Sequence, residues 1–543
     1  MKNINILKSK AKRVITIPAL TLSLLMATSC DKEVLELTPA DRITELAAFE
    51  NAARVELAVA GVYDAAQSGF YLGSFVNNRG YPFGAASVEQ GDVRGEDMFN
   101  HEAFYALTYE NNYSPATANN QHMWETLYAL INRANVVLEA LPAAATSKII
   151  TEAQLKEYQG ELLFLRALSH HELLVHFARP YDHTADASHP GVPYRTSAIN
   201  TGARVDEAQA QGRNTVKECY DKMLEDLNTA EGNLPATRTN AALKLTRATK
   251  GAAIALKTRV LLHKKDYAGV ITEGNKLVPT AAPFVSPVGS YTLTATPDGP
   301  FTTAGNKGNS ESIFSIDNTT GDTPGVNGAL PSMYAPTGRF LVAVSPIIYN
   351  ATFWPADDTR RTLLTAKGAG TGFYYTTKYK DVATLTDNTP IIRYAEVLLN
   401  LSEAIARTSP LNPRALALLN AVRGRATAPY TLVTMVDNNT LIQAIVNERR
   451  IEFLAEGRRW ADIHRLAVEG KYVYKGIPQK VGPKTAVTTA DYNAASGVVR
   501  PAILGVPAIP YDNDPNSFKF VWPFPSTEVS SNPVLAGQQN PGW

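Results

Sequence analysis

The chain has 543 residues, of which 45% are hydrophobic and 19% are charged, and its formal net charge is +1. A near-neutral chain is a poor match to proteins that track nucleic-acid phosphates, and this apolar content excludes intrinsic disorder. Two cysteines exclude a disulfide-rich scaffold and a multi-cysteine metal cluster. The length is sufficient for several ordinary domains or for one large solenoid.

The first thirty residues have the layout of a secretory signal. Residues 1–13 carry five basic and no acidic residues, and residues 14–28 form an uncharged run that is too short to span a bilayer. The run leads directly to Cys30, in an arrangement that resembles the lipobox of bacterial lipoproteins, although Ala27 stands where leucine is usual. We expect residues 1–29 to be a lipoprotein signal peptide and Cys30 to be lipidated. An ordinary cleaved signal beside an incidental cysteine is the alternative.

Cleavage before Cys30 changes both the charge and the cysteine count. The mature chain would have 47 basic and 51 acidic residues, a net charge of −4, which makes a nucleic-acid partner less compatible still. Cys219 would then have no cysteine partner. It lies four residues before Met223 and eight before Leu227, on one face of a predicted helix, so we interpret it as a buried apolar residue.

Helical periodicity dominates the rest of the chain, and the helices come in pairs. Apolar residues at three- and four-residue steps predict helices over residues 45–66, 120–141, 151–177, 214–231, 247–264, 266–278, 391–407, 412–426, 439–457 and 459–469. We expect Pro142 to end the second helix, and Thr440 with Gln443 to form a capping box at the start of the ninth. Repeated helix–turn–helix units of about 34 residues predict a mainly α fold, a tetratricopeptide-like helical solenoid.

Two long stretches without a predicted helix interrupt this scaffold, residues 67–119 and 280–389. The first contains ten Phe and Tyr residues, and the second adds further Tyr, Phe and Trp. Loops of this length are functional or disordered, and the aromatic content argues against disorder. We therefore expect one domain over residues 30–543 with these two loop insertions, and a Pro-rich final stretch, residues 470–543, that wraps the scaffold.

Two patterns that resemble catalytic motifs have a structural explanation. His171 and His176, in HHELLVH, are five residues apart, so a helix places them about 140° apart and they cannot share a zinc ion. The glycines of residues 369–373 lack the preceding strand and following helix of a phosphate-binding turn, so we interpret this segment as a loop. No metal site, cofactor or catalytic residue is predicted.

Charged side chains on the predicted helices also favour structure over chemistry. On the helix over residues 439–457, Arg449 falls within the apolar stripe beside Glu452 and Glu456, and mutual pairing is the usual way to bury such charges. The same logic covers a polar ridge on the helix over residues 391–407, formed by Arg393, Glu396, Asn400 and Glu403.

The aromatic loops are the candidate ligand site. Sugar rings present apolar C–H faces that stack on aromatic rings, whereas their hydroxyls need polar partners, and residues 92–113 and 349–361 mix both kinds of side chain. The predicted ligand-binding residues are Asp97, Phe104, Tyr105, Tyr109, Asn111, Asn112, Tyr113 and Trp354. The alternative for any single aromatic residue is that its ring packs within the core of the loop and does not contact a ligand.

Eight stretches, in order, resemble the SusD/RagB family of outer-membrane nutrient-binding lipoproteins. They are MWETLYALINRAN (123–135), ELLFLRALSHHELLVHF (161–177), RNTVKECYDKMLEDLNTAEGNLP (213–235), RATKGAAIALKTRVLLHKKDYAGVI (247–271), PIIRYAEVLLNLSEAIAR (390–407), LALLNAVRGRA (416–426), NERRIEFLAEGRRWADIHRL (447–466) and VWPFPSTEVSSNPVLAGQQNPGW (521–543). The resemblance covers essentially all of residues 30–543, and the loops are the least alike.

This resemblance implies a lipid-anchored, non-enzymatic protein on the cell surface, at the outer membrane. It implies capture of oligosaccharides and their delivery to a SusC-like TonB-dependent transporter barrel. Asp31 and Glu33, just after Cys30, resemble the acidic export tag of the group. Oligopeptide cargo for the same machinery is the alternative, and a surface glycan hydrolase is a more distant one.

Overall fold

The computed structural model describes residues 47–543 except for residues 69, 72–73, 76–78, 241–242 and 428–436. The predicted signal peptide, residues 1–29, and the predicted lipidation site, Cys30, lie outside the described residues. Among the described residues, no helix is both long enough and apolar enough to cross a membrane.

Long helices build the scaffold, and short ones occur in the insertions and near the C-terminus. The first ten are α1 Ala52–Gln67, α2 Ala85–Val93, α3 Ala106–Tyr109, α4 Ala118–Thr146, α5 Glu152–Phe177, α6 Gly202–Ala210, α7 Val216–Asn233, α8 Leu243–Thr246, α9 Lys250–His263 and α10 Tyr267–Leu277. The next ten are α11 Thr303–Lys307, α12 Leu330–Tyr334, α13 Pro346–Tyr349, α14 Arg360–Leu363, α15 Tyr394–Thr408, α16 Pro413–Arg423, α17 Asn438–Glu452, α18 Arg459–Leu466, α19 Ser526–Ser531 and α20 Pro533–Ala536.

The strands are short and pair two by two. They are β1 Phe70–Tyr71, β2 Ser74–Phe75, β3 Met98–Asn100, β4 Ser312–Ile316, β5 Val342–Val344, β6 Thr365–Lys367, β7 Tyr374–Thr376, β8 Thr389–Arg393, β9 Gly476–Ile477 and β10 Ile509–Pro510. All the pairs are antiparallel: β1 with β2, β3 with β5, β4 with β8, β6 with β7, and β9 with β10.

The scaffold helices stack on their neighbours along the chain. Helix α5 packs against α4 and α7, α9 packs against α7 and α10, and α15 packs against α10, α16 and α17. Neighbour-to-neighbour stacking of helix pairs is typical of tetratricopeptide-like solenoids, in which each unit buries its apolar face on the next. The predicted mainly α, tetratricopeptide-like fold is confirmed.

Two predicted helix boundaries are wrong. Pro142 lies inside α4, which continues to Thr146 because an alanine-rich turn follows and Ala144 and Ala145 are buried against the scaffold. The N-cap of α17 is Asp437, whose carboxylate accepts the backbone N–H of Thr440 at 2.9 Å, so Thr440 lies inside the helix and is not its cap.

The insertions contain more regular structure than their sequences predict. Residues 67–119 include α2, in which eight of nine residues are buried. Burial on every side leaves no apolar periodicity to detect. Residues 369–373 are the turn between β6 and β7, so a strand does precede these glycines, and a second strand follows. Strand β3 of the first insertion pairs with β5 of the second, Met98 opposite Val344, and this pairing joins the two insertions.

The buried charged groups of the helix predicted over residues 439–457 are paired, as expected, but with different partners. Arg449 donates to the carboxylate of Asp462 at 2.8 Å, not to Glu452 or Glu456. Those two glutamates instead accept from Arg393, at 2.8 and 2.7 Å. The partners come from distant helices and strands, which a single-helix projection cannot show.

The structure places Cys219 and two histidines of the HHELLVH segment in the core. Cys219 is buried, and burial raises the pKa of its thiol to about 12. His171 and His176 are buried in the core. Within the described ranges, no three His, Cys, Asp or Glu side chains are grouped so that they could hold a metal ion.

Candidate ligand-binding cleft

A cleft of about 630 Å³ opens between the first insertion and the C-terminal stretch; we call it the loop cleft. Its lining residues are Asn100, Tyr109, Glu110, Asn111, Asn112, Gly482, Pro483, Gly505, Val506, Pro507, Ala508, Ile509, Asp514, Asn516 and Lys519. The volume falls in the range of small-molecule sites, about 300–1,000 Å³. Three of the eight predicted ligand-binding residues, Tyr109, Asn111 and Asn112, therefore lie together in one cleft.

One wall of the loop cleft consists of two chain segments held together by backbone hydrogen bonds. Lys480 donates its N–H to the carbonyl of Val506 at 2.9 Å, and Val506 donates in return at 3.2 Å. Beyond this pair the two backbones come into contact at Gly482 and Gly505. A Cβ on Gly482 would lie 2.8 Å from the Cα of Gly505, so a side chain at this crossing requires the wall to move.

Tyr109 forms the floor of the loop cleft, and the buried Lys480 supports it. The Tyr109 hydroxyl donates to the carbonyl of Val481 at 2.6 Å, which ties helix α3 to the wall. The buried Lys480 ammonium donates to the carbonyls of Val93 and Tyr109 at 2.9 and 2.8 Å. Burial holds the pKa of Lys480 well below its ordinary value, and Arg94 lowers it further. These contacts fix the position of the floor.

The polar groups of the loop cleft are mainly amides and carboxylates. Asn112 and Asn516 are exposed, and the Asn112 amide has only a long hydrogen bond to Glu110, at 3.3 Å. The Asp514 carboxylate accepts a hydrogen bond from the backbone N–H of Asn516 at 2.7 Å. The side-chain amide of Asn516 itself has no partner among the described residues. An amide both donates and accepts, so these side chains suit ligand hydroxyls or peptide groups.

Asn111 and Tyr113 shape the loop cleft rather than present free groups. Asn111 adopts φ 59°, a left-handed conformation that asparagine tolerates, and it is buried. Tyr113 is buried behind the lining, where its hydroxyl donates to the carbonyl of Lys519 and its ring packs 5.6 Å from that of Trp543.

The other predicted ligand-binding residues lie outside the loop cleft. Asp97 is buried and accepts from the Arg450 guanidinium at 3.0 Å, so its carboxylate is already paired. Trp354 is 1% exposed, with the Arg361 guanidinium 4.1 Å from its ring centroid. In this conformation neither side chain is accessible to a ligand.

Phe104 and Tyr105 pack against each other with ring centroids 5.0 Å apart. Phe104 is half-buried, and the guanidinium of Arg339 lies 5.4 Å from its ring centroid. Tyr105 is fully buried, and its pKa is raised by burial and by the nearby Glu89 carboxyl. Of this pair, only Phe104 retains part of its surface for a ligand.

Two partly exposed tyrosines near the loop cleft were not among the predicted residues. Tyr374 and Tyr492 are half-buried, and their ring centroids are 5.2 Å apart. Tyr492 is also close enough to Tyr109 to raise its pKa, although burial is the larger cause. These rings are a candidate stacking surface beside the polar lining.

The C-terminal half of the lining, residues 482–519, was also missed. We expected residues 470–543 only to wrap the scaffold. A signal was present, because residues 511–519 concentrate Asp and Asn, the residues that build turns and that also bind hydroxyls. Nothing in the sequence, however, indicated that this turn lies opposite residues 109–112.

Comparisons with known proteins match both halves of the chain to one group. A profile described as "SusD family" matches residues 355–543, and one described as "Starch-binding associating with outer membrane" matches residues 76–262. SusD-like protein P38 of Formosa agariphila is 24% identical over 516 residues, which cover 84% of this chain and 92% of that protein.

Solved structures give the same result for the fold. A SusD superfamily protein of Bacteroides fragilis superposes with a TM-score of 0.70 at 25% identity, over 90% of this chain and 99% of that one. A laminarin-binding SusD-like protein superposes with a TM-score of 0.63 at 20% identity, over 91% of this chain and all of that one, which shows a shared fold. The two profile matches, which together cover more than half of the chain, residues 76–262 and 355–543, show that it belongs to the SusD/RagB family.

Proposed function

We propose that this protein is a cell-surface lipoprotein that captures oligosaccharides in the loop cleft and delivers them to a partner TonB-dependent transporter in the outer membrane. The observation that carries the proposal is the loop cleft itself, about 630 Å³ in volume and lined by amides, carboxylates and prolines. Family membership supports it, since the matched descriptions name starch binding and the outer membrane. The laminarin-binding neighbour is a glycan binder with the same fold.

The proposed binding mode uses two surfaces, the lining of the loop cleft and the pair of rings of Tyr374 and Tyr492. The amides of Asn112 and Asn516 would pair with sugar hydroxyls, and Pro483 and Pro507 would cover an apolar ring face. Tyr374 and Tyr492 extend the surface for further sugar units. Burial of Tyr109 leaves little ring stacking within the loop cleft, so the first contacts are mainly hydrogen bonds.

Binding without turnover is part of the proposal. Among the described residues, those that line the loop cleft include no His, Cys or Ser that could act as base or nucleophile. Glu110 and Asp514 are its carboxylates, and each accepts a hydrogen bond from a neighbouring asparagine, Asn112 or Asn516. Release of reducing sugar from a bound glycan would contradict this part.

Oligopeptide cargo is the second candidate. Amide side chains pair equally well with peptide groups, and the loop cleft offers few open ring faces to distinguish a sugar. A screen of oligosaccharides against oligopeptides with the purified mature chain separates the two cargoes.

The binding test uses the double variant Asn112→Ala, Asn516→Ala. Both side chains are exposed, so the scaffold should keep its melting temperature while affinity for the best ligand of the screen falls about tenfold or more, from two lost hydrogen bonds. Asn275→Ala, at an exposed amide on α10, is the matched control and should bind normally. Equal affinity of all three proteins would reject the loop cleft as the site.

Surface anchoring and delivery need separate tests in cells. Replacing Cys30 with Ser should abolish incorporation of labelled palmitate and release the protein from the outer membrane. Deleting the gene should abolish uptake of the bound oligosaccharide, and cross-linking should recover a barrel-sized outer-membrane partner. Retention of the Cys30→Ser variant at the membrane would contradict the lipoprotein proposal.

A further inference from the structure

A second pocket, of about 300 Å³, lies between residues 194–199, helix α6 and the start of α7; we call it the α6 pocket. It shares no lining residue with the loop cleft. We propose that the α6 pocket binds a single anionic sugar unit, either a uronic acid or a sulfated monosaccharide. Its volume is at the lower end for small-ligand sites, which suits one sugar ring rather than a chain.

One wall of the α6 pocket is held rigidly from behind. Side chains of α4 and α5 form hydrogen bonds with the backbone of residues 193–199. Some donate to its carbonyls, among them the Tyr128 hydroxyl to Pro193 at 2.8 Å and the Asn135 amide to Arg195 at 3.2 Å. Others accept from its N–H groups: His170 Nε2 from Arg195 at 3.1 Å, Glu139 from Ala198 at 2.9 Å, and Asn132 from Ile199 at 2.7 Å. A wall fixed in this way loses little conformational freedom when a ligand binds.

The lining of the α6 pocket carries more positive than negative charge. Arg195, Arg204 and Lys222 line it, against one acid, Glu207. Arg195 is 9% exposed, and its guanidinium donates to the Gln211 amide oxygen at 2.8 Å. In the part of the chain that the structure describes, neither Arg195 nor Lys222 has a carboxylate within ion-pair distance. The Glu528 carboxylate is near enough to act on the pKa of Arg195 but forms no ion pair with it among the described residues, so an anionic ligand would give this buried arginine a closer counter-charge.

The third cation is only loosely paired. Arg204 lies 3.5 Å from Glu207 and 3.8 Å from Glu139, longer than the 2.7–2.9 Å typical of charge-assisted hydrogen bonds. Its side chain is 38% exposed and lies on α6, a helix with no buried residue. Arg204 is therefore free to turn toward a carboxylate or sulfate without breaking a strong contact.

The remaining lining suits the sugar ring. Thr196 and Ser197 expose their hydroxyls at the rim and can pair with ligand hydroxyls. An adjoining hollow of about 160 Å³, which shares Arg195, Ile199 and Ala208 with the α6 pocket, is lined by Trp124 and Tyr128 and also by the Glu528 carboxylate. One anionic group, several hydroxyls and an apolar face together describe an acidic monosaccharide.

Calorimetry with the full mature chain tests this proposal with four probes: glucuronic acid, glucose 6-sulfate, glucose and inorganic sulfate. We expect at least one of the two acidic sugars to bind and glucose not to bind. Lys222→Gln and Arg195→Gln should each weaken that binding at least tenfold. Lys217→Gln is the control, since Lys217 lies on the same helix α7 but pairs with Asp221 outside the pocket.

The outcomes separate the proposal from its alternatives. Binding of glucuronic acid would identify the ligand as a uronate, and binding of glucose 6-sulfate would identify it as a sulfated sugar. Either result supports the proposal. Glucose binding as tightly as the acidic sugars would overturn the proposal. Inorganic sulfate binding as tightly as the sugars would also overturn it, because the pocket would then hold an adventitious ion only. Should Arg195→Gln fail to fold, Lys222→Gln decides, because Lys222 is partly exposed and in no ion pair of the described residues. The loop-cleft variant Asn112→Ala, Asn516→Ala should still bind the acidic sugar, so failure of one site does not imply failure of the other.

Discussion

Gly482 and Gly505 are in direct backbone contact across one wall of the loop cleft. A Cβ built on Gly505 would lie 2.7 Å from the Cα of Gly482, a separation that real Cβ atoms do not adopt. The neighbouring hydrogen bonds between Lys480 and Val506 prevent the two segments from moving apart freely. The shape of the wall therefore depends on the absence of a side chain at both positions.

Gly505→Ala should distort this wall. We expect a loss of stability of about 1–3 kcal/mol, as for other overpacked contacts, together with loss of affinity for the loop-cleft ligand. Urea denaturation and calorimetry on the same preparations measure the two effects. Gly232→Ala is the control, because a Cβ there meets nothing within 4 Å, and in a helix alanine should stabilise by about 0.5–1 kcal/mol. Unchanged ligand affinity in Gly505→Ala would show that the wall does not shape the site.

Tyr109→Phe should loosen the floor without removing its ring. The variant loses only the hydroxyl that donates to the Val481 carbonyl at 2.6 Å, a buried hydrogen bond worth about 1 kcal/mol. Because the carbonyl left behind lies next to Gly482, we expect weaker ligand binding together with this loss of stability. Tyr474→Phe, at an exposed tyrosine, is the control. Ligand binding equal to that of the parent would mean that the hydroxyl serves stability alone.

The scaffold could be predicted from the sequence because its helices are amphipathic and local. Ten predicted helices match α1, α4, α5, α7, α9, α10, α15, α16, α17 and α18, mostly to within a few residues. Helix α2 could not be found in this way, since its buried Glu89, Gln90 and Asp92 erase the apolar pattern. Local periodicity shows a helix with one buried face and fails for one enclosed on all sides.

The candidate ligand site could be predicted only in part, because composition identifies ring-rich loops without showing which rings are exposed. Of the predicted residues, Tyr109, Asn111 and Asn112 line the loop cleft. The Asp97 carboxylate is instead paired with Arg450, and the Trp354 ring is covered by Arg361. Alanine at Tyr109, Tyr113 and Trp354 together would therefore remove buried packing and destabilise the protein. For this reason the binding test uses exposed asparagines.

Arg393→Met should be among the most destabilising single changes in the protein. Arg393 is buried and donates to Glu311, Glu452 and Glu456, so its removal leaves three buried carboxylates short of a partner. Loss of one partner from a buried ion pair costs about 3–5 kcal/mol. Thermal and urea denaturation measure the change.

Arg54→Met is the matched control for that experiment. Arg54 pairs with Glu50 at the exposed start of α1, where such pairs contribute about 0.5 kcal/mol or less. A similar small effect for Arg393→Met would mean that the buried network is not needed for stability.

Glu89 should make the protein less stable as the pH rises. Burial raises the pKa of its carboxyl from 4.5 to about 8, and the neighbouring Asp92 contributes to the increase. Between these pH values the folded protein retains a proton that the unfolded chain has lost, so the free energy of unfolding falls with increasing pH. Glu89→Gln removes this titration, so the variant should lose less stability than the parent between about pH 7 and pH 9 and should be the more stable protein at pH 9. Parallel profiles for the two proteins would contradict a raised pKa.

The buried histidines should make the protein less stable at acidic pH. All nine histidines have pKa values lowered by burial, and that of His464 falls to about 3. Below pH 6.5 the unfolded chain takes up protons that the folded protein does not, so stability should fall as the pH decreases from 6.5 toward 3.

His464→Gln tests this limit at one position. The ring Nε2 of His464 lies 2.9 Å from the Ala178 carbonyl, a hydrogen bond that a glutamine amide can replace without taking up a proton. We expect this variant to lose less stability than the parent between pH 6.5 and 4.5, measured by urea denaturation at fixed ionic strength. Combined with the effect of Glu89, the parent should be most stable near pH 7, since below that pH the histidines of the unfolded chain take up protons and above it the buried Glu89 carboxyl ionises. If the free energy of unfolding of His464→Gln falls as steeply as that of the parent between pH 6.5 and 4.5, groups other than His464 cause the loss of stability.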